Sequence, residues 1–179
     1  MLTELWSSWE QKSLSDKTEK ALTKLRQNNV LLCMATGRSY PTIPHFQGID
    51  FDVLLTFNGS YVKSGEKIIF KNPLHNEDKN QIIQNLKNMK RAIAISNENF
   101  IVTNGTDEDL AQYFAIGNET MIISDDLTSY HKTIFIRLCV LAGKKNMRKY
   151  CKVQRMLRSQ HGGTRQLILF RRMAEKVMQ

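Results

Sequence analysis

Two apolar runs organise the chain: residues 30–35 (Val-Leu-Leu-Cys-Met-Ala) and residues 53–57 (Val-Leu-Leu-Thr-Phe). The first follows a stretch of helical periodicity and ends in a small polar turn, Thr36-Gly37-Arg38, which predicts a parallel strand buried on both faces. Ahead of it, residues 14–27 predict an amphipathic helix. Ser15 or Asp16 can cap it, Glu19 is placed to reach back over the first turn, and Ala21, Leu22 and Leu25 form the stripe that should be buried. Asn28-Asn29 can take the left-handed conformation that stops it. After Arg38, Pro41 and Pro44 leave room only for a short or broken helix before Gly48. The second run predicts a second buried strand, with Asn58-Gly59 as its turn. Strands so connected lie parallel and adjacent, which puts Asn58 near Thr36.

Further on, Tyr61-Val62 and residues 67–70 predict a hairpin across Ser64-Gly65. Residues 76–90 predict a helix with Ile82, Ile83, Leu86 and Met89 inward. Residues 92–96 and 100–103 predict a hairpin across Asn97-Glu98-Asn99, and residues 107–114 a short helix opened by acids that suit its dipole. Residues 121–123 and 133–141 complete what should be an antiparallel sheet. The pattern therefore predicts an α/β protein, a parallel fragment followed by a small α+β unit, with the boundary in residues 61–65. Residues 1–12 show neither period and receive no element.

At 179 residues and 41% hydrophobic, the chain can bury one good core or two small ones. No run is long enough to cross a bilayer and the N-terminus lacks a signal-peptide pattern, so a cytoplasmic protein without membrane partners is expected. Cys33, Cys139 and Cys151 have no metal spacing and read as reduced thiols; His45, His75, His131 and His161 are scattered and match no metal site either. Trp6 and Trp9, and the tail methionines Met147, Met156, Met173 and Met178, receive no role. The net charge of +9 is uneven. Residues 144–179 hold eleven of the 26 basic residues and one of the 17 acids, so the remainder is close to neutral. A basic arm of this kind can bind nucleic acid or acidic partners, which makes a non-enzymatic binding module one reading. The arm is interrupted by His161-Gly162-Gly163 and has no interleaved aromatics, so nucleic acid is the less expected partner.

The strand-end residues carry the candidate chemistry. In an open α/β sheet, ligands bind beyond the carboxyl ends of the strands, where Thr36, Gly37 and Arg38 sit. A hydroxyl, a glycine that lets backbone approach closely and a guanidinium suit an anionic oxygen, most simply a phosphate. An ordinary turn is the alternative. Asn58 is either a ligand-facing amide or a left-handed turn former.

Four segments, in this order and spacing, resemble the Cof-type phosphatases of the haloacid dehalogenase (HAD) superfamily. They are Ser15-Asp16-Lys17-Thr18-Glu19-Lys20-Ala21-Leu22, Met34-Ala35-Thr36-Gly37-Arg38, Leu55-Thr56-Phe57-Asn58-Gly59-Ser60 and Lys71-Asn72-Pro73-Leu74; the similarity continues less sharply to Gly143. The resemblance implies a partial Rossmann-like core over residues 13–62 and an inserted α+β (C2-type) cap over residues 63–143, flanked by atypical segments 1–12 and 144–179. It also implies Mg²⁺-dependent hydrolysis of small phosphomonoesters such as sugar phosphates. By that resemblance Thr36 and Gly37 bind the phosphate, while Arg38, Asn58 and Gly59 face the substrate. Such enzymes use a first-strand aspartate as nucleophile and a second, two residues on, as acid/base, within Asp-x-Asp-Gly-Thr.

This chain departs from that pattern. No Asp-x-Asp motif precedes Ser15, and no Gly-Asp…Asn-Asp metal loop follows the cap segment. No metal ligands are assigned, no Mg²⁺ is expected on this chain, and the expected phosphatase is catalytically impaired because positioning and charge stabilisation carry phosphoryl transfer. Both ends read as displaced in frame. Combining each codon's third base with the next codon's first two, residues 1–12 can spell Asp-Ala-Asp-Gly-Thr-Leu when a G precedes the first codon. Residues 147–179 can likewise spell a segment resembling the family's lysine-bearing return to the core. Purine-rich codons read this way also account for the basic tail.

Overall fold

The computed structural model describes residues 14–88, 90–117, 120–130, 132–141, 157–160 and 166–171. Residues 1–12 with Trp6 and Trp9, Met89, His131, Cys151, His161 and the tail methionines lie outside the described residues.

The first helix, α1 (Asp16–Gln27), is capped by Ser15, whose Oγ accepts the Thr18 N–H at 3.2 Å, and stops at Asn29 with φ +59°. Its packing differs from the expected stripe: Ala21 and Leu25 are exposed, and only Leu22 packs on the core. Beyond its caps, the helix is held by this apolar contact and by Arg26, which donates to the Asp50 carbonyl at 3.2 Å and pairs with Asp50 and Asp52.

Four strands form the first sheet: β1 (Cys33–Ala35), β2 (Val53–Thr56), β3 (Tyr61–Ser64) and β4 (Lys67–Lys71), in that spatial order. As the pattern required, β1 and β2 are parallel, with Cys33 opposite Val53 and Ala35 opposite Leu55. The β3–β4 hairpin extends the same sheet antiparallel to β2. The double-faced burial expected of β1 does not hold. Leu32 and Met34 are buried against Phe46 and Ile49, but Cys33 and Ala35 on the other face are exposed and Leu31 is 71% exposed. Among the described residues β1 is the outer strand of its sheet, and only its Leu32–Met34 face meets packing partners.

The second sheet has six strands: β5 (Ala94–Ser96), β6 (Ile101–Thr103), β7 (Ile122–Ile123), β8 (Arg137–Leu141), β9 (Leu157–Gln160) and β10 (Gln166–Arg171), ordered β7-β6-β5-β8-β10-β9. Two features differ from the sequence pattern. β7 pairs with β6 in parallel, because the helix α3 (Glu108–Gly117) carries the chain back before it re-enters the sheet. The basic tail also contributes β9 and β10, with β10 antiparallel to β8. Strand alternation sorts the core. Ile95, Val102 and Leu138 point to the face covered by α2 (Asn76–Asn88) through Ile82, Ile83 and Leu86; Ala94, Ile101 and Cys139 point to the face covered by α3 through Leu110 and Phe114. On α2 the buried Lys79 donates from Nζ to Asn76 Oδ1 and to the carbonyls of Tyr130 and Thr133, over the Phe135 ring; burial holds its amine below the usual lysine value.

Phe57, Tyr61 and Ile136 are buried together, with Tyr40 packed beside them, so one small cluster joins the two sheets. The Leu74 N–H donates to the Phe135 carbonyl at 2.7 Å across the same junction. No helix among the described residues is long and apolar enough to cross a membrane.

Candidate functional site

The parallel pairing of β1 and β2 brings the segments after both strands side by side. Thr36 N–H donates to the Leu55 carbonyl at 2.9 Å, continuing the ladder one residue beyond β1. The returning backbone then closes on the turn: Phe57 N–H donates to the Arg38 carbonyl at 2.9 Å and Asn58 N–H to the Thr36 carbonyl at 3.2 Å. Thr36, Gly37, Arg38 and Asn58 therefore form one small surface at the carboxyl ends of two adjacent strands.

Each side chain has a definite place there. Thr36 is half-buried and its Oγ1 accepts the Arg38 N–H at 3.2 Å. Gly37 is exposed on one side and covered by Asn58 on the other. A Cβ at position 37 would sit 2.8 Å from Asn58 Oδ1, so the asparagine amide occupies the space a side chain would take. Arg38 is half-buried and its guanidinium donates to the Thr42 carbonyl at 3.3 Å, within a short 3-10 turn over Tyr40–Thr42. Of the two readings of Asn58, its φ of +55° makes it a turn former, and its amide lies over Gly37. Gly59 supplies the next turn position at φ +85°, with open space where a Cβ would project.

Phe57 also has a positive φ, +51°, which is strained for a bulky side chain. Its full burial and its N–H bond to Arg38 hold it there. Backbone strain of this kind collects where geometry matters more than local stability.

One residue of the surface had not been expected from the sequence. Arg137, at the start of β8 and 1% exposed, donates from Nη1 to the Gly37 carbonyl at 2.9 Å and from Nη2 to Ser39 Oγ at 2.8 Å. Its guanidinium lies 5.4 Å over the Phe57 ring. The signal was present: an arginine inside Phe-Ile-Arg-Leu-Cys is a charge in an apolar strand, and such a charge needs buried partners.

Two lysine–glutamate pairs lie on the strands that follow the turn. Lys63 on β3 donates to the Tyr40 hydroxyl at 3.1 Å and to Glu66; the Tyr40 bond, against the effect of burial, pushes its amine above the usual value. Burial, followed by the nearby Glu98 charge, raises the Tyr61 phenol, and Glu98 itself pairs with Lys71. No group of three or more His, Cys, Asp or Glu side chains that could hold a metal stands together among the described residues. The described residues do not fit the Mg²⁺ centre that the resemblance implies.

The fold is similar to several solved structures. A haloacid dehalogenase-like hydrolase from Bacteroides thetaiotaomicron superposes with a TM-score of 0.77 at 14% identity, covering 93% of this chain and 67% of that one. A phosphatase of the HAD superfamily from the same organism gives 0.76 at 16% identity, with 92% and 62% covered. A subclass IIB sugar phosphatase gives 0.74 at 15%, with 92% and 65% covered. The chain thus spans less than two thirds of the length of the last two, and at these identities the likeness speaks for the fold. No curated protein matches the sequence. The model of the haloacid dehalogenase-like hydrolases, in contrast, matches residues 8–162. With most of its length inside that match and a Rossmann-type core of the same kind, the chain belongs to the haloacid dehalogenase-like hydrolase family.

Proposed function

We propose that this chain binds a small phosphorylated metabolite, such as a sugar phosphate, on the Thr36–Arg38 turn and does not hydrolyse it. In this reading it is a Cof-type member whose phosphate site is Thr36 and Gly37, with Arg38, Asn58 and Gly59 toward the rest of the ligand. The observation that carries it is the closure of the Phe57–Asn58 backbone onto the Thr36–Arg38 turn, at the place where an α/β sheet receives its ligands. A hydroxyl and a cation on a turn of close-packed backbone are what an anionic oxygen needs. A structural neighbour described as a sugar phosphatase supports the substrate class.

The loss of turnover rests on the sequence. No Asp-x-Asp precedes Ser15, so the attacking carboxylate and its acid/base partner are missing from the motif position. The division into a partial core and a cap belongs to the same proposal, with the β3–β4 hairpin counted on the core side because it pairs with β2. So does the displaced frame of residues 1–12 and 147–179, which the nucleotide sequence tests. Codons unable to spell Asp-Ala-Asp-Gly-Thr-Leu ahead of Leu14 overturn it.

Calorimetric titration of the full chain with inorganic phosphate and with hexose phosphates tests the site. Binding should be measurable and should weaken in Thr36→Val. Incubation of the same ligands with Mg²⁺ should release no phosphate. Absence of binding refutes the phosphate site, and sustained phosphate release refutes the claim of lost catalysis.

A further inference from the structure

We infer that Arg137 is a positioning residue for anion binding: it fixes the Gly37–Arg38 peptide so that the turn hides its carbonyls and keeps the Arg38 N–H beside the Thr36 hydroxyl. This rests on the phosphate reading above and adds the device that makes the turn fit for it.

The three successive carbonyls of the turn are all occupied within the protein. Thr36 C=O takes the Asn58 N–H and Arg38 C=O takes the Phe57 N–H. The middle one, Gly37 C=O, has no backbone donor from that segment; it takes Arg137 Nη1 at 2.9 Å. In a planar trans peptide the C=O and N–H point in opposite directions. Holding the Gly37 carbonyl toward Arg137 therefore holds the Arg38 N–H on the opposite side, where it donates to Thr36 Oγ1 at 3.2 Å. The hydroxyl and the amide of the candidate site thus share one side of the turn. Gly37 makes the restraint necessary. A glycine leaves both neighbouring peptides free to rotate, and a flipped Gly37–Arg38 unit would turn a carbonyl oxygen toward the anion.

Other features of Arg137 fit this role better than that of a bare counter-charge. Its second arm bonds Ser39 Oγ at 2.8 Å, so the fork grips the turn at two points, and its face lies on Phe57 in the facing segment. A planar fork suits two fixed acceptors, which a lysine ammonium cannot match. Its strand register is set by the second sheet, where Arg137 pairs with Ser96.

The test is a titration of the full chain and three variants with inorganic phosphate, by calorimetry and by two-dimensional amide NMR. Arg137→Gln should weaken binding about tenfold, the scale of one lost hydrogen bond to a charged group. Arg137→Lys keeps the charge and should recover little of that loss. The Arg38 amide resonance should shift on phosphate addition in the unsubstituted chain and not in either arginine variant. Ser39→Ala removes one of the two acceptors and should show a smaller loss; it decides the matter if the arginine variants do not fold. Full affinity in Arg137→Lys reduces the residue to a charge and overturns the inference. Unchanged affinity in Arg137→Gln, or in Ser39→Ala when the arginine variants do not fold, overturns it as well. A chain that binds no phosphate even unsubstituted removes the phosphate site itself, and the inference with it.

Discussion

Gly37 and Asn58 share a single volume, and that sharing gives a sharp expectation. In Gly37→Ala the new methyl meets only the far end of the Asn58 side chain, 2.8 Å away, which can swing aside. The substitution should leave thermal stability close to that of the parent while reducing phosphate affinity, because the displaced amide no longer covers the turn. Calorimetry alongside a melting curve checks both parts; a large drop in melting temperature would mean that Asn58 cannot move. At this scale much of the site was legible. Thr36, Gly37 and Arg38 stand at a strand end, and an Asn-Gly after the next apolar run marks its turn. Arg137 was not legible, since its partners lie about a hundred positions earlier in the chain and only the folded junction brings them together. A sequence shows that a charge interrupts an apolar strand, but not which carbonyl answers it.

At the scale of elements, α2 holds the carbonyls of Tyr130 and Thr133 through a buried amine. Burial keeps the Lys79 value below 10.5 in the folded protein, so between the lowered value and 10.5 the unfolded chain holds a proton that the folded chain has released. Stability should therefore rise with pH across that window, and the penalty for the buried charge is fully present below it. Urea unfolding at successive pH values up to 10.5 measures this; Lys79→Met should flatten the rise, and an equal slope in both proteins would contradict it. Periodicity located α2 and its inward residues well, because Ile82, Ile83 and Leu86 repeat at helical spacing over a long segment. It misjudged α1 and β1 for one shared reason. Apolar spacing shows which face could be covered, whereas cover itself comes from partners elsewhere in the chain, and of those two segments they reach Leu14, Leu22, Leu32 and Met34 but not Ala21, Leu25 or Leu31.

At the scale of the molecule, the largest buried cluster among the described residues lies between α2 and the second sheet. Leu86 is fully buried at its centre, so Leu86→Ala should lower unfolding stability by about 2–5 kcal/mol, the range for emptying a packed leucine site. Chemical denaturation measures it, and a loss below about 1 kcal/mol would show that the cluster collapses to fill the space. The parallel pairing of β1 with β2 could be read from the two apolar runs and their connection. The parallel entry of β7 and the two tail strands could not, because pairing direction depends on where a connection crosses the sheet.

The register of β8 has a consequence for how this protein tolerates insertions and deletions. Ser96 stands opposite Arg137, and neighbouring residues on that strand face opposite sides. Losing or gaining a single residue between Ser96 and Ile136 that slid the strand by one place would swing the guanidinium to the α2 side of the sheet and offer an aliphatic neighbour to the Gly37 carbonyl. Length changes in a distant loop would then disarm the turn without altering any residue in it.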